Sequence, residues 1–142
     1  MEGLMPLAQL IADINWIAVL LALVAAFMLG GAWYSRALFG DTWMREIGLT
    51  EEAIQSANMA RTFGGTIILE GLAAIALAAF LGRDATWIEG LQTGLWIGLF
   101  FIATAYGITY LFEQRSFRIW LINAGYYVVL YAVMGAIIGA MS

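Results

Sequence analysis

The chain has 142 residues, of which 63% are hydrophobic and only 11% charged, and its mean hydropathy is +0.89. A water-soluble domain draws roughly a quarter of its residues from the charged set. Most of this chain's surface must therefore face lipid, which excludes a secreted domain, a cytosolic enzyme, a collagen and a disordered tail. Ten acids against six Arg, with no Lys, give a net charge of −4 and leave no basic footprint for nucleic acid. The chain has no Cys, which removes disulfides, thiolate metal sites and thiol catalysis, and no His, which removes the commonest metal ligand and the usual near-neutral base. No cofactor, metal or enzymatic activity is expected.

Along the chain, the segment from Met1 to Asp13 holds Glu2 and Asp13 and no basic residue. It lacks the positive start of a signal peptide, so the first apolar stretch is expected to stay as a span. Four stretches suit a hydrocarbon layer that takes about 20 helical residues: 14–34, 62–82, 87–112 and 117–141. The expected fold is all-α, a polytopic membrane protein forming one domain over residues 1–142. It is an antiparallel bundle of four transmembrane helices with a short interfacial helix in the first loop. In the first span, Trp16 and the Trp33-Tyr34 pair lie about 26 Å apart and fit the two interfacial aromatic belts.

The first loop, 35–61, is the only sizeable segment outside the spans. Asp41 is expected to cap a short helix through Ile47 that Gly48 ends, and Thr50 to cap a second helix running on towards span two. Trp43, Met44 and Ile47 against Arg45 and Glu46 suit a helix lying among headgroups; a plain surface connector is the alternative. Gly64-Gly65 lacks the strand-turn-helix setting of a phosphate cradle.

Each span carries a stripe of small residues of the kind that lets membrane helices approach closely. These are Ala18, Ala22, Ala26 and Gly30 in span one, and Ala74, Ala78 and Gly82 in span two. Span three has Gly90, Gly94 and Gly98, and span four has Gly135 and Gly139 beside Ala132, Ala136 and Ala140. Such stripes serve a tight bundle, and the glycines of span three also offer a face for self-association.

Glu70 is the one acid well inside a span, about 13 Å beyond Arg61. It reads either as a proton-carrying or cation-binding acid or as a neutral carboxylic acid bonded to a neighbouring span. Thr66 lies one turn earlier on its face. By depth, Thr104, Tyr106, Asn123 and Tyr126 could join Glu70 in one polar cluster, although tyrosines and an Asn at such depths also serve plain packing. The turn Glu113 to Arg118 places Arg115 and Arg118 at a headgroup layer, where Glu113 could bridge to Arg118 or Arg36. Asp13 is expected to cap span one, with Asn15, Glu89 and Gln92 as interface polars. Arg36, Arg45, Arg61, Arg115 and Arg118 flank the first and third loops and only Arg83 the second, which puts both termini outside the cytoplasm.

The blocks Asn15-Trp16, then Gly31-x-Trp33-Tyr34-Ser35-x-x-Leu38-Phe39-Gly40-x-x-Trp43-Met44, then Leu111-Phe112-Glu113-x-Arg115 and Leu121-Ile122-Asn123-Ala124-Gly125-Tyr126 resemble the bacterial integral membrane proteins of domain-of-unknown-function family 1761. The likeness runs from Asn15 to Gly139. It implies a small four-span inner-membrane protein and no particular activity, cofactor or substrate. Members commonly have Pro at the position of Arg36 and His at that of Tyr127, so a His-based role would not transfer. Ser35, Glu113, Arg115, Asn123 and Tyr126 match the family blocks, which favours a shared site near the cytoplasmic face; Glu70 matches none.

Two functions fit best. The first is a structural or accessory membrane subunit, self-associating or binding lipid or other membrane proteins. The second is a small oligomeric proton-coupled transporter or channel that uses Glu70, by an analogy of size and topology with four-span exporters.

Overall fold

A computed structural model of the chain describes residues 6–142; Glu2 lies outside them. Helix makes up 80% of the structure, and the described residues contain no strand. In chain order the helices are α1 (Leu7–Ala12), α2 (Trp16–Trp33), α3 (Gly40–Ile47), α4 (Glu51–Gln55), α5 (Met59–Leu81), α6 (Trp87–Ile97), α7 (Thr104–Phe112) and α8 (Phe117–Ala140). A π-helical stretch, Gly98–Ala103, joins α6 and α7 into one rod. The rods α2, α5, α6–α7 and α8 are long and apolar enough to cross a membrane, and their ends fall within three residues of the predicted spans.

Helix starts follow side-chain chemistry. The Asn15 side-chain Oδ1 accepts from the Ile17 and Ala18 amides at 3.1 and 3.3 Å. Thr86 and Glu89 form a reciprocal capping box, and Ser116 caps α8 by accepting from Ile119 N at 3.1 Å. Asp13 does not cap α2; it precedes the cap and pairs with Arg83 at 3.1 Å, joining two connections at one end of the bundle. Asp41 likewise falls in the first turn of α3 rather than at its cap, because the helix already begins at Gly40. Gly48, at φ 75°, ends α3, and Thr50 caps α4 as expected. α4 stops at Gln55 instead of running on, and a separate cap at Asn58 starts α5.

α8 is the hub. Within the spans, 44% of α8 is buried, against 11–22% for the other three, and the flanking helices are arranged around it. Gly90 faces the backbone of Gly135 and Gly139, Gly94 that of Tyr131 and Ala132, and Gly98 that of Val128; a methyl group at any of the three would overlap main-chain atoms of α8. Close backbone approach of this kind is how helices hold together where lipid removes the hydrophobic drive. The glycines Gly90, Gly94, Gly98, Gly135 and Gly139 are thus used up between α6 and α8, and the face offered for self-association in span three is covered. α2 buries Ala18, Ala22 and Ala26 in the shared core, and α5 buries Ala74, Leu77 and Ala78. Gly82 and Ala140 of the predicted stripes stay exposed. At Gly64, Gly65 and Gly71 of α5 an added Cβ would meet no described residue within 4 Å.

Candidate functional site

Five of the chain's six tyrosines gather on the half of the bundle nearest the α2–α5 and α7–α8 connections, and Tyr131 lies just past the middle of α8. Spacings of three and four place Asn123, Tyr126, Tyr127 and Tyr131 on neighbouring faces of α8, Tyr106 and Tyr110 follow at i and i+4 on α7, and Tyr34 closes α2. The Tyr34 hydroxyl donates to Asn123 Oδ1 at 2.8 Å, and Asn123 Nδ2 donates to the Tyr110 hydroxyl, also at 2.8 Å. Their rings form a continuous stack. Tyr34 lies edge-on to Tyr126 at 5.2 Å between centroids, Tyr126 meets Tyr127 at 5.1 Å, Tyr127 stacks on Tyr106 at 5.2 Å, and Tyr106 meets Tyr110 at 5.5 Å. Such pairings add about 0.5–1.5 kcal/mol each beyond burial.

Glu70 joins this cluster from α5. The buried Tyr126 hydroxyl lies 3.4 Å from both Glu70 Oε1 and the Ala26 carbonyl oxygen. Gly30, whose Cβ would sit 3.0 Å from that hydroxyl, leaves room for it. The second carboxyl oxygen, Oε2, is enclosed and has no hydrogen-bond partner among the described residues. Beside it a cleft of about 180 Å³ opens between α5 and α8, lined by Thr66, Leu69 and Glu70 on one side and Tyr127, Tyr131 and Met134 on the other.

The predicted polar cluster is therefore partly redrawn. Glu70, Tyr126, Asn123 and Tyr106 come together, with Asn123 reaching Glu70 only through the tyrosines. Thr104 does not join them. It is exposed, and its hydroxyl donates to the Phe100 and Phe101 carbonyls at 2.8 and 3.2 Å. The Trp120 indole donates to the Ala103 carbonyl at 2.9 Å, at the end of the same π-helical stretch. Trp33 and Tyr34 are not a lipid-facing belt either. The Trp33 indole donates to the Ile122 carbonyl at 3.0 Å, and both rings pack inward against Tyr126. Tyr34, Tyr110, Tyr127 and Tyr131 were the members sequence reasoning missed; the helical spacing of five of the six tyrosines on α7 and α8 was the available signal.

At the loop end, Ser35 donates to the Ala32 carbonyl at 2.7 Å and so closes α2. Glu113 bridges neither Arg118 nor Arg36; it pairs with Arg115 at 3.7 Å, whose guanidinium lies 5.8 Å from the Tyr110 ring centre. Arg36 pairs with Glu51, and lies 3.8 Å from Asp41. Arg118 faces Glu46 at 3.7 Å, and Ser116 donates to the same carboxylate at 2.5 Å, which docks α3 on the start of α8. Trp43 of α3 packs edge-on against Tyr34 at 5.4 Å and covers the cluster from this side. No set of three acidic side chains among the described residues is grouped to hold a metal.

Four apolar rods, a polar aromatic core between them and one acid within it define a multi-pass membrane protein with an intramembrane polar centre. The family model described as a protein of unknown function, DUF1761, matches residues 17–139, and the chain belongs to that family. No curated protein and no solved structure matches it. The sequence blocks that carry the resemblance meet in space: Trp33 and Tyr34 of one bond to Ile122 and Asn123 of another.

Proposed function

We propose that this protein is a small proton-linked membrane carrier whose working group is Glu70. The observation that carries the reading is the hydrogen-bond arithmetic at Tyr126. A hydroxyl has one proton and cannot donate to both Ala26 O and an ionised Glu70. A protonated Glu70 donates to the Tyr126 hydroxyl, which then donates to Ala26, so that both contacts of the hydroxyl are met and only Oε2 is left without a donor. The acid therefore rests neutral in the closed site and ionises only when a cation or water arrives in the cleft, which couples occupancy to proton release. An enclosed carboxylate with no such partner is costly in hydrocarbon surroundings.

The second reading, an accessory subunit, draws on α5, where a Cβ added at Gly64, Gly65 or Gly71 would meet no described residue within 4 Å, so that these glycines suit close approach by a helix of a protein partner. The two separate in proteoliposomes holding an entrapped pH dye, challenged with a panel of small organic solutes. A carrier moves protons with at least one solute in wild type and with none in Glu70→Gln. Undiminished flux in the variant removes Glu70 from the mechanism, and silence with every solute favours the accessory role. In either reading we place the protein in a bacterial inner membrane, with the α2–α5 and α7–α8 connections in the cytoplasm and both termini outside; the position of five of the six Arg supports this.

A further inference from the structure

We infer that the cleft between α5 and α8 binds a small organic ammonium ion, entering sideways from the lipid; the inference rests on the reading of Glu70 as an exchangeable acid. Three features of the cleft converge on that class. The enclosed Glu70 Oε2 lacks a donor, and an ammonium N–H supplies one together with the opposite charge. Tyr127 and Tyr131 line the opposite wall, and tyrosine rings attract cations through their negative faces. Apart from Thr66, whose hydroxyl donates to the Thr62 carbonyl, the remaining lining, Leu69 and Met134 among it, is apolar and takes a hydrocarbon tail. Size sets the limit. At about 180 Å³ the cleft is smaller than the roughly 300–1,000 Å³ of drug-sized sites, so the ligand is correspondingly small.

The titratable groups facing Glu70 from α8 are Tyr126, Tyr127 and Tyr131, while α2 presents only the Ala26 carbonyl and has no charged residue along its length. Arg118, the one cation of α8, pairs with Glu46 at 3.7 Å, so no cation of α2 or α8 competes for the acid. On binding, the ammonium keeps its protons, Glu70 gives its own to water, and one proton leaves per ligand bound.

The test uses benzylammonium and benzyl alcohol, a neutral molecule of the same shape, binding at neutral pH to the full chain in lipid nanodiscs, with empty nanodiscs subtracted. Calorimetry in buffers of different ionisation enthalpy counts the protons released. Wild type is expected to bind benzylammonium with release of one proton and to ignore benzyl alcohol. Glu70→Gln should weaken the cation at least about tenfold, Glu70→Asp less, and Tyr131→Leu by roughly two- to fivefold. Glu70→Asp and Tyr131→Leu keep the comparison valid if Glu70→Gln fails to fold. Equal binding of the alcohol, or binding untouched by all three substitutions, overturns the assignment. Absence of benzylammonium binding while Glu70 still exchanges its proton rejects the ligand class and leaves the carrier reading standing; absence of both rejects the two together.

Discussion

Asn123 is the residue on which the polar core depends. It accepts from Tyr34 and donates to Tyr110, so one side chain satisfies two hydroxyls from two other helices. Asn123→Ala leaves both without that partner inside the bundle and should cost about 1–3 kcal/mol, read as a lowered thermal midpoint in detergent. An unchanged midpoint would mean that water or a rearranged tyrosine replaces the amide. At this scale the sequence exposed Glu70 readily, because an acid deep in an apolar run stands out. It concealed Tyr34, because the same amphipathic ring suits a membrane interface and a buried hydrogen bond equally well.

Among the elements, the contact between α6 and α8 sets the architecture. Gly94 sits so close to the Tyr131 carbonyl that any side chain pushes the two rods apart. Gly94→Val should cost at least about 1–3 kcal/mol, the usual range for overpacking, and should also disturb the cleft, since Tyr131 belongs to both. A Gly64→Val change in α5, where an added Cβ meets no described residue within 4 Å, should leave the folded monomer's midpoint nearly unaltered; a drop as large as that of Gly94→Val would refute the packing described. Gly48 and Thr50 were legible as helix ends because such signals act locally, whereas Asn15 takes the cap expected of Asp13 two residues earlier. Helix faces were less so: spans apolar all round carry little directional signal. Small-residue stripes marked contact faces without saying whether the partner was another span or another molecule. The structure answers that for Gly90, Gly94 and Gly98 by placing α8 over them.

For the whole molecule, orientation is the property most open to direct test. The chain has no Cys, so single cysteines report their own side without background. Glu52→Cys in the first loop should react from the cytoplasm only, and Asp84→Cys in the second from outside only; the reverse pattern would invert the topology proposed from the Arg distribution. The four spans could be read from hydropathy because each must satisfy its backbone internally and stay apolar along its length. The hub position of α8 could not, since it depends on which faces meet rather than on how apolar each segment is.

The most direct test of the central claim, that Glu70 rests protonated and exchanges its proton at the cleft, is the infrared spectrum of the protein in lipid titrated from acid to alkaline buffer. A protonated-carboxyl band is expected that is absent from Glu70→Gln and that gives way to carboxylate in wild type as pH rises or as benzylammonium is added. A Glu70 ionised throughout, or one whose band responds to neither, would contradict the account.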